Sequence, residues 1–185
     1  RISENDTQSE RDRFVRALET TRKDLQTLIE TLPEDAPKEL AAILNVHQLL
    51  LEDPLLTDET IRLIESRQYN AEWALTTQGQ NLGEQFSAME DEYLRERGAD
   101  IRQVVERVLQ ALGGNPTIAR LDDMAQTDEP LIVVARDISP ADMIRLRGSK
   151  FAGFATELGG PTSHTASVAR SMGVPAVVGA ANARS

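Results

Sequence analysis

The chain changes its hydrophobic period partway along. From Thr7 to Leu32 the apolar residues Phe14, Leu18, Leu25, Leu28 and Ile29 recur at spacings of three, four and seven, which puts them on one face of a helix. Pro33 and Pro37 end that helix and open a second, running from Pro37 to Glu52 with Leu40, Ile43, Leu44, Val46, Leu50 and Leu51 as its apolar positions. Pro54 reads as its stop. A short third helix is expected from Thr57 to about Arg67. A fourth starts on an Asn70 N-cap and runs through Trp73 and Leu75 to Leu82, with Gly83 as its break. A fifth covers Ser87 to Leu112, weakened at Gly98 and closed by Gly113-Gly114-Asn115-Pro116. Four or five amphipathic helices with short connections predict a helical bundle or a pair of hairpins.

Beyond residue 113 the pattern shortens. Pro130-Leu131-Ile132-Val133-Val134-Ala135 is a β-branched run of the kind found in buried strands. Ser139 as N-cap and Pro140 at the first position begin a short helix. Phe151–Ala155 reads as a second strand and Ser163–Met172 as a helix, ended by Gly173 with Pro175 beyond it. Pro175–Gly179 reads as a third strand. Strands alternating with helices are an α/β layout. Three short strands make a small sheet, so further strands are expected outside this sequence. The predicted fold class is α joined to α/β: a helical subdomain over residues 1–113 and a partial α/β subdomain over residues 114–185.

Composition narrows the function classes. The 185 residues suffice for one or two domains. Aromatics are only 4%, so the core must rest on Leu, Ile, Val and Ala. The absence of cysteine removes disulfides, thiolate zinc sites and cysteine nucleophiles, and fits a reducing cytoplasm. No apolar run reaches membrane-spanning length. No leader pattern is visible, although the first residue, Arg1, leaves room for one upstream. Residues 1–112 hold 13 basic and 23 acidic side chains, a balance of −10, whereas residues 113–185 hold seven of each. That acidity disfavours nucleic acid and anionic membrane as partners. It suits a basic protein partner, because complementary charge speeds encounter and rejects wrong docking.

One stretch carries candidate chemistry. Gly159-Gly160-Pro161-Thr162-Ser163-His164-Thr165-Ala166-Ser167-Val168-Ala169-Arg170 places one of two histidines at the start of a predicted helix, after a glycine-rich turn. Backbone N–H groups and the positive end of the helix dipole converge there, which suits an anion such as phosphate. The same field disfavours imidazolium and keeps His164 neutral and nucleophilic. Gly159 and Gly160 let a bulky donor approach, and Thr162, Ser163 and Thr165 offer hydroxyl donors. These are the requirements of a histidine that accepts a phosphoryl group. A serine nucleophile is less well supported, because no Gly-Xaa-Ser-Xaa-Gly elbow is present. Zinc would have to be held mostly by carboxylates, and no metal site is expected in this chain.

This run, followed by Gly173-Val174-Pro175-Ala176-Val177-Val178-Gly179, resembles the phosphohistidine signature of the phosphoenolpyruvate-utilising enzymes. That group includes Enzyme I of the sugar phosphotransferase system, pyruvate phosphate dikinase and phosphoenolpyruvate synthase. Val46-His47-Gln48-Leu49-Leu50-Leu51-Glu52-Asp53 and Asp91-Glu92-Tyr93-Leu94-Arg95-Glu96-Arg97-Gly98-Ala99-Asp100-Ile101-Arg102 resemble helical segments of Enzyme I that the dikinases and synthases lack.

The resemblance spans roughly residues 10–180. It implies a helical subdomain that binds the carrier protein HPr and a swivelling α/β subdomain whose His164 is phosphorylated. It places the HPr-docking face on His47, Leu49, Leu50 and Asp53 and on Tyr93, Leu94 and Arg97, although at helical spacing most of the leucines are expected to be core. It implies phosphoenolpyruvate as donor, Mg2+ bound outside this chain, a homodimer formed through a C-terminal barrel also outside it, and a cytoplasmic location. Two departures stand out. Pro161 replaces an Arg common in relatives, and Met143 falls where some relatives carry a threonine near the active histidine. A nitrogen-regulatory paralogue with another carrier, and a non-catalytic carrier-binding helical module, are the alternatives. The Gly113–Pro116 junction is the expected hinge.

Overall fold

In a computed structural model, the described residues are 1–32, 34, 36, 38–113, 129–146, 151–160 and 163–180; at 92–96, 140, 145, 151 and 164 the description is of the backbone alone. After a 3-10 turn at Glu4–Asp6 come five helices: α1 (Thr7–Glu30), α2 (Lys38–Glu52), α3 (Pro54–Arg67), α4 (Ala71–Ser87) and α5 (Glu92–Leu112). An alternating series follows: β1 (Leu131–Ala135), α6 (Pro140–Leu146), β2 (Phe151–Thr156), α7 (His164–Ser171) and β3 (Ala176–Val177). The helical half and the α/β half are those expected. The Gly114–Pro116 part of the expected hinge lies outside the described residues.

Three helix boundaries differ from expectation: α3 starts earlier, α4 runs on to Ser87, and α5 accordingly begins at Glu92 and not at Ser87. Pro54 opens α3 as well as following α2. Asp53 is extended (φ −71°, ψ 122°), its carboxylate accepts the Leu55 N–H at 2.9 Å, and proline sits at the first helical position, where its missing N–H costs nothing. Gly83 does not break α4, which continues to Ser87 with Gly83 buried inside it. A glycine in a helix costs only about 1 kcal/mol relative to alanine, and buried Leu75, Gln78 and Leu82 on the same helix outweigh it.

The chain divides into two compact units: residues 1–27 with 45–115, and residues 28–44 with 116–185. The second unit thus includes the last turn of α1 and the first two turns of α2, whereas the expected boundary lay near residue 113. In the helical unit Phe14, Leu25, Leu51, Leu56, Ile64, Leu75, Ile101 and Val104 are all essentially inaccessible. There α4 packs against both α3 and α5. Arg13 of α1 joins Glu10 at 2.7 Å and Glu72 of α4 at 2.5 Å, while the Glu10 carboxylate accepts the Ala71 N–H at 2.8 Å. Burial raises the Glu10 pKa, but the Ala71 N–H and the Arg13 guanidinium more than reverse it, so the net shift is downward. No helix among the described residues is long and apolar enough to cross a membrane.

In the α/β unit the three strands are parallel in the order β1-β2-β3. Val133 pairs with Phe154 and Phe154 with Ala176, and the register slips once between Leu131 and Ile132. One face is covered by a cluster of Leu40, Ile43, Ile138, Met143, Phe154, Val168 and Ala169, to which α2, α6 and α7 all contribute. Ile132, Val134 and Val177 remain exposed. The burial expected of the β1 run is met only in part: Leu131, Val133 and Ala135 are half-buried on one face, and Ile132 and Val134 are exposed on the other. Apolar runs mark strands that can be covered on both sides, but they do not supply the cover.

Candidate functional site

His164 is the first residue of α7, and Ser163 caps it. Ser163 is extended (φ −62°, ψ 153°), and its hydroxyl oxygen accepts the Ala166 N–H at 3.2 Å. Its own N–H donates to the Gly160 carbonyl at 3.0 Å, which folds the glycine turn back onto the cap. The backbone of His164 therefore stands at the positive end of the aligned peptide dipoles of α7, as the sequence implied. At the other end Gly173, at φ 65°, takes the left-handed turn, and the Val174 N–H reaches back to the Ala169 carbonyl at 2.9 Å.

The turn before His164 is held from three sides. Glu157 and Leu158 donate to the carbonyls of Ala135, the last residue of β1, and Arg136, just past it, at 3.2 and 2.9 Å. The buried Thr156 hydroxyl donates to the Leu158 carbonyl at 2.8 Å. Ala180 donates to the Thr156 carbonyl at 2.9 Å, beyond β3. Gly159 has φ 96°, a conformation few side chains tolerate. A Cβ at Gly179, also left-handed at φ 70°, would lie 3.0 Å from the Gly159 carbonyl oxygen. Glycine is thus required on both sides of this contact. Among the described residues, no atom lies within 4 Å of where a Cβ at the half-buried Gly160 would point.

The predicted hydroxyl donors separate. Ser163 uses a lone pair for capping, and among the described residues its proton has no acceptor. Thr165 does not: it is 4% exposed, and its hydroxyl donates to the Ile138 carbonyl at 3.0 Å. A carbonyl can only accept, so the one proton of that hydroxyl is committed. Thr165 is corrected from a phosphate donor to an internal tie. Thr162 and Pro161 lie outside the described residues, as does the side chain of His164. Met143, where some relatives carry threonine, is wholly buried in the core beneath the sheet.

Of the residues placed on a docking face, Leu49 is 67% exposed and Leu50 is half-buried, while Leu40, Leu44 and Leu51 are core. Asp53 caps α3. Arg97 is half-buried, and the side chains of Tyr93 and Leu94 lie outside the described residues. His47 needs correcting. It is fully buried, with Nε2 3.3 Å from Asp100 Oδ1 on α5 and Nδ1 buried without a hydrogen-bond partner among the described residues. It offers no surface to another protein, because its position in α2 faces the neighbouring helix.

Sequence reasoning missed Leu55, which is 55% exposed in the first turn of α3, and the buried Gln78, whose amide holds the Leu55 carbonyl at 2.6 Å. The Asp53-Pro54 start of α3 was the available signal for Leu55; a glutamine inside α4 gives none. Among the described residues no three of His, Cys, Asp and Glu stand together as metal ligands.

Comparison with known proteins gives a consistent result across both halves. The family model described as "PEP-utilising enzyme, N-terminal" matches residues 1–97, and "PEP-utilising enzyme, mobile domain" matches residues 127–185. The phosphoenolpyruvate-protein phosphotransferase of Cupriavidus necator is 49% identical over 98% of this chain, which covers 32% of that protein. Those of Listeria innocua and Bacillus subtilis are 41% and 35% identical over 94% and 95% of this chain, which covers 30% of each. The chain therefore spans under a third of the length of these curated relatives. A solution structure of Enzyme I matches with TM-score 0.77 and 32% identity, over 98% of this chain and 72% of that one. The N-terminal domain of a nitrogen Enzyme I matches with TM-score 0.64 and 31% identity, over 94% and 69%. With both domain models matched in order and the two-part fold shared with Enzyme I, the chain belongs to the PEP-utilising enzymes, within the Enzyme I group.

Proposed function

We propose that this chain is the phosphoryl-relay portion of a phosphoenolpyruvate-protein phosphotransferase, in which His164 accepts the phosphoryl group and passes it to a small carrier protein. The observation that carries the reading is the Ser163-capped start of α7 at His164, behind a turn that only glycine can make. In the forward step a neutral ring nitrogen of His164 forms a bond to phosphorus as the bond to the enol oxygen breaks. The enolate leaves with the electron pair and takes a proton at carbon to become pyruvate. The phosphoryl group then moves to a histidine of the carrier, an exchange between two imidazoles that depends on positioning and charge stabilisation. Phosphoenolpyruvate and Mg2+ are bound by a part of the full protein outside this chain, through which it also dimerises, and the enzyme works in the cytoplasm.

The carrier proposed is HPr, docked on the helical unit. Leu49 and Leu55 are exposed on the helices that flank the α2–α3 junction, in a stretch of sequence that also holds Glu52, which pairs with Arg22, Asp53, which caps α3, and Asp58. Exposed leucines on a helical half with an acidic excess fit a carrier with a basic rim around its own histidine. A second reading, the nitrogen-regulatory branch, is supported by the likeness to the nitrogen Enzyme I domain at nearly the same identity.

The test is phosphorylation of the full-length protein by phosphoenolpyruvate, read by mass spectrometry as acid-labile, base-stable label. Label on His164, lost in His164→Ala, is expected. Undiminished label in that variant would refute the assignment. Offering HPr and the nitrogen-branch carrier in parallel to the labelled enzyme separates the two readings by which one discharges it.

A further inference from the structure

We infer that Thr165 is a positioning residue for His164, acting through the backbone of α7 and not through contact with the phosphoryl group. The inference rests on the proposed role of His164 and goes beyond it. Three observations converge. Thr165 is buried, and its hydroxyl proton is committed to the Ile138 carbonyl, 27 residues away in sequence. That carbonyl belongs to a fixed point. The Ile138 side chain is 3% exposed within the core beneath the sheet, and its N–H donates to Asp137 Oδ1 at 2.9 Å. The next residue, Ser139, closes a reciprocal box with Asp142 at the start of α6: the Ser139 hydroxyl accepts the Asp142 N–H at 3.2 Å, and the Asp142 carboxylate accepts the Ser139 N–H at 3.3 Å.

The consequence is geometric. α7 has only eight residues, so its own hydrogen bonds hold its first turn weakly. The Ser163 cap fixes that turn relative to the preceding glycine loop. The Thr165–Ile138 bond fixes it relative to α6 and the sheet, from the residue directly after His164. Together they leave the His164 backbone little freedom. A nucleophile that must meet phosphorus in line loses about 100-fold in rate for a misplacement near 1 Å. Thr165 therefore acts on the chemical step, not on substrate affinity.

The experiment uses the full-length enzyme, with single-turnover phosphorylation of His164 by phosphoenolpyruvate in wild type, Thr165→Val, Thr165→Ser and His164→Ala. Valine keeps the shape and removes the hydroxyl; serine keeps the hydroxyl and removes the methyl. The expected result is a fall in the maximal phosphorylation rate of about 10- to 100-fold for valine with KM within about twofold, and recovery to within about threefold by serine. An undiminished rate for valine overturns the inference. So does a raised KM at unchanged maximal rate, which would mean direct contact with the donor. If valine fails to fold, serine decides: a rate as low as that of a hydroxyl-free Thr165→Ala variant overturns the inference. Phosphate acceptance by His164→Ala would instead overturn the underlying role of His164, a separate outcome.

Discussion

Gly79 of α4 lies directly against Val105 of α5, and a methyl group there tests how rigidly the two helices are spaced. A Cβ at Gly79 would lie 2.7 Å from Val105 Cγ2 and 3.2 Å from Cγ1. Relaxed carbon contacts are about 3.5–4.0 Å, so Gly79→Ala overlaps by about 1 Å. Two effects oppose one another. Alanine favours the helix over glycine by about 1 kcal/mol. Overpacking a closed core costs about 1–3 kcal/mol, and Val105 is 8% exposed with a stiff, β-branched side chain. A net loss of about 1 kcal/mol is expected.

Val105→Ala alone removes two carbons and costs about 1.6 kcal/mol in transfer free energy, plus a cavity contribution. In that background the obstructing carbons are gone, and Gly79→Ala becomes stabilising by about 1 kcal/mol. The pair should therefore be coupled by about 2 kcal/mol. Urea unfolding followed by the fluorescence of Trp73, the single tryptophan of the chain and on the same helix, reads it directly. Additive effects in the double variant would refute the reasoning, and would mean that α5 shifts to absorb the methyl group. The same helix α5 carries Asp100, the partner of buried His47, and Arg97, which the resemblance places on the docking face.

Replacing Leu49 or Leu55 with alanine is expected to weaken carrier binding about 5- to 30-fold each, the equivalent of about 1–2 kcal/mol for leucines now more than half exposed, with circular dichroism unchanged. Isothermal titration with HPr measures it, and wild-type affinity in both variants would remove the docking face from the α2–α3 junction. The depressed Glu10 carboxylate gives a pH dependence of definite sign. Its contribution to stability is present above the ordinary carboxylate pKa and is lost as pH falls through the lower folded value. Glu10→Gln should therefore destabilise near neutrality and flatten the loss of stability on acidification. A stability difference between the two proteins that does not change from pH 7 to pH 3 would contradict this.

Much of the fold was legible because it is local. Periodicity located five helices and three strands, and Ser163, Gly173, Ser139 and Pro140 announced the ends of α6 and α7, since caps act on backbone groups within a few residues. The misjudged boundaries, Pro54 and Gly83, were also local. In each, a residue that can end a helix stood where capping or burial favoured one. Nothing in the α2 pattern told which way its faces point. Leu40 and Ile43 pack beneath the sheet with Phe154 and Val168, and His47 two turns after Leu40 meets Asp100 of α5. A helical stripe records that a face is buried, not what buries it.

The same division runs through the site. The sequence alone determined that His164 begins a helix behind a glycine turn, because left-handed backbone and N-capping are properties of single residues and their neighbours. Only the tertiary structure decided which hydroxyls remain available there. Thr165 gives its proton to Ile138 while that of Ser163 has no acceptor among the described residues, and the commitment of Thr165 depends on a carbonyl 27 residues away. A hydroxyl has one proton, and its recipient is set by what folding brings within 3 Å.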